Sequence, residues 1–370
     1  MSNNFLLQKK SRKSSARAGK LRTIHGIIDT PFFMPIATRG AVKTLSSDEI
    51  VFLGAQIILS NTYHLWQRPG LPVVKKAGGL HKFMNWKKPI LTDSGGYQVF
   101  SLARSRKITE QGVNFVSEID GRRHLLTPER AIEIQRILGS DIIMCLDECA
   151  PYPSAKEYIK KSVELTTRWA ARCQKYFKKK KMRGQQIFGI VQGSIYRQSR
   201  LKSAADLLKI NFDGYAVGGL AVGEPAKKMY EVLDYTVPAL LENKPRYLMG
   251  AGKPEQIVQA VKRGIDMFDC VIPTRNARHG LLYKFKPSVD LNRNKFYEEI
   301  RIKQSKYAGD FRPLDEHCQC PACRGYSRAY LRHLFMINET LAWRLATLHN
   351  VSFYLDLMKK IRQKILRGQF

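Results

Sequence analysis

Short apolar runs recur along this chain, separated by polar or amphipathic stretches long enough to form helices. Eight of them read as strands: PFFMPIAT (31–38), AQIILS (55–60), KPILTD (88–93), DIIMCLDE (141–148), QIFGIVQG (186–193), GYAVGG (214–219), RYLMGAG (246–252) and DMFDCVI (266–272). The segments between them carry a helical period. In TPERAIEIQRILGS, Ala131, Ile134, Ile137 and Leu138 follow helical spacing, with Thr127 as N-cap and Pro128 as first helical residue. Strands that are apolar on both faces and joined by helical crossovers form parallel sheets. Eight such units predict an α/β protein, a (β/α)8 TIM barrel. An open doubly wound sheet is the competing architecture.

A barrel of this kind carries its reactive groups where the strands end, because that rim holds the βα loops. Here the runs end in Ser60-Asn61, Asp93-Ser94-Gly95-Gly96, Asp147-Glu148-Cys149, Gln192-Gly193, Gly218-Gly219, Met249-Gly250 and Asp269. Aspartate and glycine after a strand ordinarily serve as helix caps and turn residues. Three aspartates and a glutamine at separate strand ends exceed that need and predict one shared pocket.

Charge narrows the class of partner. The 370 residues hold 63 Lys and Arg against 31 Asp and Glu, a net charge of +32, which is directed at a polyanion, with nucleic acid the first expectation. No uninterrupted apolar run of about 18 residues and no lipidation motif accompanies it, so membrane association is not expected. The N-terminus is basic, serine-bearing and without an acid before Asp29, the composition of a mitochondrial transit peptide; no secretory apolar core follows, and the cytoplasm is the expected compartment. The runs KYFKKKKMR (175–183) and KKIRQKILRG (359–368) read either as solvated faces or as phosphate contacts.

Three of the seven cysteines crowd into CQCPAC. Cys318, Cys320 and Cys323, with His349 after an interval of 25 residues, form a Cys3His set suited to one structural Zn2+, with no ligand position left open for catalysis. His317 and His333 are the other choices for the fourth ligand. Zinc here would staple a subdomain too poor in apolar residues for its own core. The expected organisation is a catalytic barrel over 1–300, a zinc-binding subdomain over 301–350, and a C-terminal helix over 351–370 packing back on the barrel. Cys145, Cys173 and Cys270 read as small core residues.

Nearly the whole chain carries a denser pattern: HGIIDTPFFMPIATRGAVK, LSNTYHLWQRPG, LTDSGGYQVFSL, DECAPYP, GIVQGS, YAVGGLAVGE, YLMGAGKPEQI, FDCVIPTRNARHG and then the CxCxxC–His set. In this order the motifs resemble the tRNA-guanine transglycosylases, also called queuine tRNA-ribosyltransferases, in their bacterial form. The resemblance places the basic N-terminus inside the family's own domain, which disposes of the transit-peptide reading. It implies a zinc-bearing barrel enzyme that replaces the wobble guanine of G-U-N anticodons with 7-aminomethyl-7-deazaguanine, the precursor of queuosine.

By the same resemblance, Asp269 matches a nucleophile that holds ribose C1′ covalently while bases exchange, and Asp93 matches the acid/base carboxylate. Asp147 and Gln192 match the residues that read the guanine edge. Gly219 and Leu220 match the loop that contacts O6 and the aminomethyl arm, with Glu224 behind them. Tyr97 and Met249 match the two faces that sandwich the flipped base. Cys149 and Val222 match the pocket lining, and Asn61 at the end of the second run belongs with these substrate-binding positions. Arg275 and Arg278, with Lys43 and Lys253, match positions along the tRNA path. Ala277 stands where the family usually has a glycine, and Trp66-Gln67 before Arg68-Pro69-Gly70 are less usual choices.

The nearest rivals insert a different base, queuine or an archaeal precursor. Val222 and Cys149 match the bulkier bacterial lining, whereas enzymes that admit queuine carry a smaller residue at the position of Val222. A non-catalytic tRNA-binding partner subunit is the rival of another class, and the presence of both Asp93 and Asp269 argues against it. The resemblance also implies a homodimer, with Tyr326, Tyr330 and His333 contributing to its contacts.

Overall fold

The computed structural model describes residues 4–102, 105–180, 182, 184–292 and 295–370. Lys181 and Arg183, in the basic run 175–183, lie outside the described residues.

Each of the eight apolar runs contains one strand: β1 (Phe32–Met34), β2 (Ile58–Ser60), β3 (Ile90–Thr92), β4 (Ile142–Met144), β5 (Gln186–Val191), β6 (Gly214–Val217), β7 (Arg246–Leu248) and β8 (Met267–Asp269). All neighbours pair in parallel, in chain order, and β8 pairs back onto β1. Between β1 and β2 the ring closes by a parallel bridge from Ile36 to Leu59, with Leu59 N–H donating to the Pro35 carbonyl at 3.1 Å. The predicted barrel is therefore present, and the open sheet is not.

Alternation along the strands divides the core in two. Phe32, Met34, Leu59, Leu91, Ile142, Met144, Phe188, Ile190, Ala216, Tyr247 and Met267 fill the barrel interior. Their neighbours Phe33, Ile58, Ile90, Ile143, Ile187, Tyr215, Val217, Leu248 and Phe268 face the surrounding helices. This is why the strands read as continuous apolar runs: both faces are buried. The helix Pro128–Leu138 begins as its sequence specifies, with Thr127 capping the Arg130 amide.

Three antiparallel pieces were not among the predicted elements. A sheet of Phe5–Lys10, Arg17–Thr23 and Gly26–Thr30 closes the end of the barrel where the strands begin, with Phe5, Leu21 and Ile28 joining the interior core. Arg17 secures it through a buried two-point ion pair with Asp266, the residue before β8, at 2.9 and 2.5 Å. Asp141, before β4, takes hydrogen bonds from the backbone and imidazole of His25 in the turn of this sheet, from the Ile90 amide, and from His81, whose ring stacks on that of His25 at 3.7 Å. A second sheet, Arg106–Ile108, Val113–Val116 and Arg123–Leu126, is inserted after β3, and a hairpin of Leu281–Phe285 with Tyr297–Arg301 follows β8.

The last helix, Thr340–Leu366, is continuous through residues 350 and 351. His349 therefore lies inside a helix. The helix reaches the segments flanking β8: Tyr354 donates to the Gly252 carbonyl at 2.6 Å, and Asn350 donates to the carbonyls of Pro273 and Leu281. Among the described residues no helix is long and apolar enough to cross a membrane.

Candidate active site and metal centre

The C-terminal strand ends bring Asp93, Asp147, Gln192, Gly219 and Asp269 onto one rim, and each of the three carboxylates is fixed by a different set of donors. Asp93 follows β3. Its Oδ1 accepts from the backbone amides of Thr62 and Gly95 at 2.8 and 3.2 Å, and its Oδ2 accepts from the side-chain amides of Asn61 and Gln98. Burial pushes this carboxyl up to about 6, and the four donors hold the rise in check.

Asp147 is placed after β4, with Ser94 donating to Oδ1 at 3.3 Å and Gln192 Nε2 donating to Oδ2 at 2.7 Å. It too is raised to about 6, chiefly by burial, with the Asp93 charge adding to the rise. Asp269 ends β8 and accepts at Oδ1 from the Tyr247 hydroxyl at 2.5 Å and the Gly250 amide at 2.9 Å. Burial raises its carboxyl, while these two donors favour the ionised form. The Tyr247 phenol is pushed well above its ordinary value by burial and by the charges of Asp269 and Asp93, so it remains a donor and stands near both carboxylates.

Gln192 is held from behind by the loop after β6. A side chain at Gly219, whose φ is +60°, would put its Cβ 2.3 Å from Gln192 Oε1, so the backbone can approach the amide only as glycine. Leu220 is buried beside it. Ala221 has a left-handed φ of +57°, a conformation Glu224 supports by accepting from the amides of Ala221 and Val222. Cys149 is half-buried, with its thiol pushed up to about 12 by burial, and the Gly219 N–H is turned toward its sulfur. Tyr97, on the helix Gly96–Leu102, is 53% exposed, and Met249 is half-buried against the barrel interior. An exposed aromatic face and a thioether at this rim can take a planar group.

The expected tRNA-path residues lie around this rim without binding each other. Arg275 is exposed on the helix Ile272–Arg278, Arg278 is half-buried and donates to the Thr274 carbonyl at 2.8 Å, and Lys43 and Lys253 are exposed. Ala277 is fully buried in that same helix, a conformation alanine favours.

Sequence reasoning placed Ser94 on this rim without a role and missed three contributors: Gln98, Tyr247 and Arg200. Gln98 was legible, since it stands five residues after Asp93 on the first turn of a helix opened by glycine. Tyr247 was legible from register, because parallel pairing of Tyr247 with Met267 places it one strand from Asp269. Arg200 carried no signal. It looks like an ordinary basic residue in the polar helix Arg197–Ile210, yet it is wholly buried.

Cys318, Cys320, Cys323 and His349 bring their ligand atoms within 4.8 Å of one another, as the CQCPAC spacing predicted. His349 turns Nδ1 to the thiols, 3.2 Å from Cys323 Sγ and 3.8 Å from Cys320 Sγ, while Nε2 donates to the Tyr283 carbonyl at 2.7 Å. That bond fixes the tautomer that leaves Nδ1 free to ligate. Three thiols and one oriented imidazole fit a closed tetrahedral metal site.

A family model described as queuine tRNA-ribosyltransferase matches residues 11–370. Among curated relatives of that same description, the protein of Thermoanaerobacter sp. (strain X514) is 53% identical over 98% of this chain and 93% of its own length. That of Caldanaerobacter subterraneus subsp. tengcongensis is 54% identical over 96% and 92%, and that of Listeria innocua 52% over 99% and 93%. With its eight-stranded barrel, its rim of buried carboxylates and its Cys3His centre, matched from end to end in sequence, the chain belongs to the queuine tRNA-ribosyltransferase family.

Proposed function

We propose that this chain exchanges the wobble guanine of G-U-N tRNA anticodons for 7-aminomethyl-7-deazaguanine, in queuosine biosynthesis. The observation that carries the reading is the contrast in surroundings among three buried carboxylates. Asp147 pairs with an amide suited to a purine edge, Asp269 pairs with donors that favour its ionised form, and Asp93 sits in a four-donor cage with its carboxyl near 6.

In this reading Asp269 Oδ attacks ribose C1′ as the C1′–N9 bond of guanine breaks, and the base departs with that electron pair and a proton from the Asp93 carboxyl. Guanine leaves, and the incoming base takes its place between Tyr97 and Met249. Its N9–H proton passes to Asp93, N9 attacks C1′, and the bond to Asp269 breaks to regenerate the carboxylate. A carboxyl near 6 suits both transfers at neutral pH. Asp147 accepts from the N–H groups of the base, Gln192 serves the O6 and N7 side, and the Gly219–Leu220 loop, Cys149, Val222, Glu224 and Asn61 complete the pocket.

Arg275, Arg278, Lys43 and Lys253 hold the phosphates around the extruded nucleotide, in keeping with the +32 charge. Three thiolates and one nitrogen favour Zn2+ at the Cys3His centre, where a closed ligand set makes the ion structural. The working division is the barrel over 1–300, the zinc subdomain over 301–350 and the C-terminal segment over 351–370, in a cytoplasmic homodimer. The function is tested by incubating unmodified tRNA with labelled guanine and then with 7-aminomethyl-7-deazaguanine. Label should enter and be chased out; tRNA that never takes up label rejects the reading.

A further inference from the structure

Arg200 is fully buried, and among the described residues no carboxylate forms an ion pair with it. Its guanidinium instead donates to four backbone carbonyls: Ser194 at 2.7 Å from Nε, Val191 at 2.9 Å and Gly218 at 2.7 Å from Nη1, and Gly219 at 3.2 Å from Nη2. Val191 and Ser194 bracket Gln192 at the end of β5, and Gly218 and Gly219 form the loop at the end of β6. One planar fork thus ties together the two loops that present the base-reading amide and the base-facing backbone. Burial lowers its pKa only to about 10, so the group stays charged at neutral pH.

The direction of these bonds matters. In a trans peptide the C=O and N–H point opposite ways, and among the described residues every cis bond precedes a proline elsewhere. When Arg200 takes the Gly218 carbonyl, the Gly219 N–H must point away from it, and it does, toward Cys149. Taking the Gly219 carbonyl turns the Leu220 N–H away in the same manner. Two consecutive glycines would otherwise let these peptides rotate at little cost. A buried cation satisfied only by carbonyls also polarises both peptides and strengthens their N–H groups as donors.

We infer that Arg200 is a positioning residue that fixes specificity for a 6-oxo base, by locking the Gly218–Gly219 and Gly219–Leu220 peptides with their N–H groups aimed into the pocket. The inference rests on the base-pocket reading of this rim. Lysine cannot replace the fork, because its donors radiate from one atom and cannot span four carbonyls held on two loops.

The test measures equilibrium affinity for guanine and for 2-aminopurine, which lacks the 6-oxygen, in wild type, Arg200→Met and Arg200→Lys, with melting curves to establish folding. Wild-type protein should bind guanine far more tightly. In Arg200→Met, guanine affinity should fall roughly tenfold to a hundredfold, the effect of one or two mis-aimed buried hydrogen bonds, while 2-aminopurine affinity stays within about threefold. Arg200→Lys should fall between the two, and its guanine-to-2-aminopurine ratio decides the matter if Arg200→Met does not fold. Equal losses for both bases, or an unchanged ratio, would assign Arg200 a merely structural role and overturn the inference. A folded wild-type chain that binds neither base fails at the earlier step and removes the pocket reading itself.

Discussion

Gln192 donates to Asp147 at 2.7 Å, so the two groups proposed to read the base satisfy each other. In the proposed reaction, base binding exchanges this bond for contacts to the base and needs Asp147 ionised to accept them. Burial lifts that carboxyl to about 6. Guanine affinity should therefore be constant at neutral pH and fall as pH drops through about 6, because the protonated acid loses its acceptor. Equilibrium binding across pH 5 to 8 checks this, and Asp147→Asn should bind weakly throughout and show no such dependence.

Tyr247 and Gly250 donate to the same oxygen of Asp269 against a burial that disfavours its charge. Tyr247→Phe removes one donor, so the carboxyl rises further and the ionised form of the proposed nucleophile becomes scarcer. The exchange rate should fall about tenfold at neutral pH, the scale of one hydrogen bond to a charged group, and recover partly as pH is raised. A rate profile against pH measures the displaced acid limb.

The architecture was legible in the sequence because barrel strands buried on both faces leave uninterrupted apolar runs, and a polar residue ending such a run falls on the functional rim. The antiparallel pieces were not legible for the opposite reason. Phe5–Lys10 buries little beyond Phe5, and Arg106–Ile108 is largely exposed, so neither shows an apolar run longer than Phe5-Leu6-Leu7. The metal ligands announced themselves through spacing. Arg200 could not, since its partners are carbonyls, which every residue possesses.

The Cys3His centre is tied by hydrogen bonds to the segment that follows β8. His349 holds the Tyr283 carbonyl, and the adjacent Asn350 holds Pro273, four residues beyond Asp269. Cys320→Ala should lose bound metal and melt at lower temperature, with the exchange rate falling as a consequence and base affinity least affected. Elemental analysis together with melting curves reads both effects, and a strong chelator should reproduce them in the wild type.

At the opposite end of the barrel, burial would raise the Asp141 carboxyl, but bonds from His81, the Ile90 amide and His25 outweigh it and hold it below its ordinary value. A depressed carboxyl contributes stability that is present above its unfolded-state pKa and is lost as pH falls through the folded value. Asp141→Asn should cost about 3 kcal/mol at pH 7, since it leaves buried donors poorly paired, and the deficit should shrink in acid. Denaturant unfolding at pH 7 and pH 3 measures both values, with base affinity unchanged in the folded variant.

The central claim is that Asp269, not Asp93, forms the bond to ribose. Wild-type protein incubated with tRNA and an exchangeable base, then run on a denaturing gel, should give a shifted protein–RNA band, and peptide mapping should place the attachment within residues 268–270. Asp269→Asn should give no band, while Asp93→Asn should slow proton transfer yet retain the attacking oxygen of Asp269. A band that maps to Asp93, or one that persists unchanged in Asp269→Asn, would contradict the account.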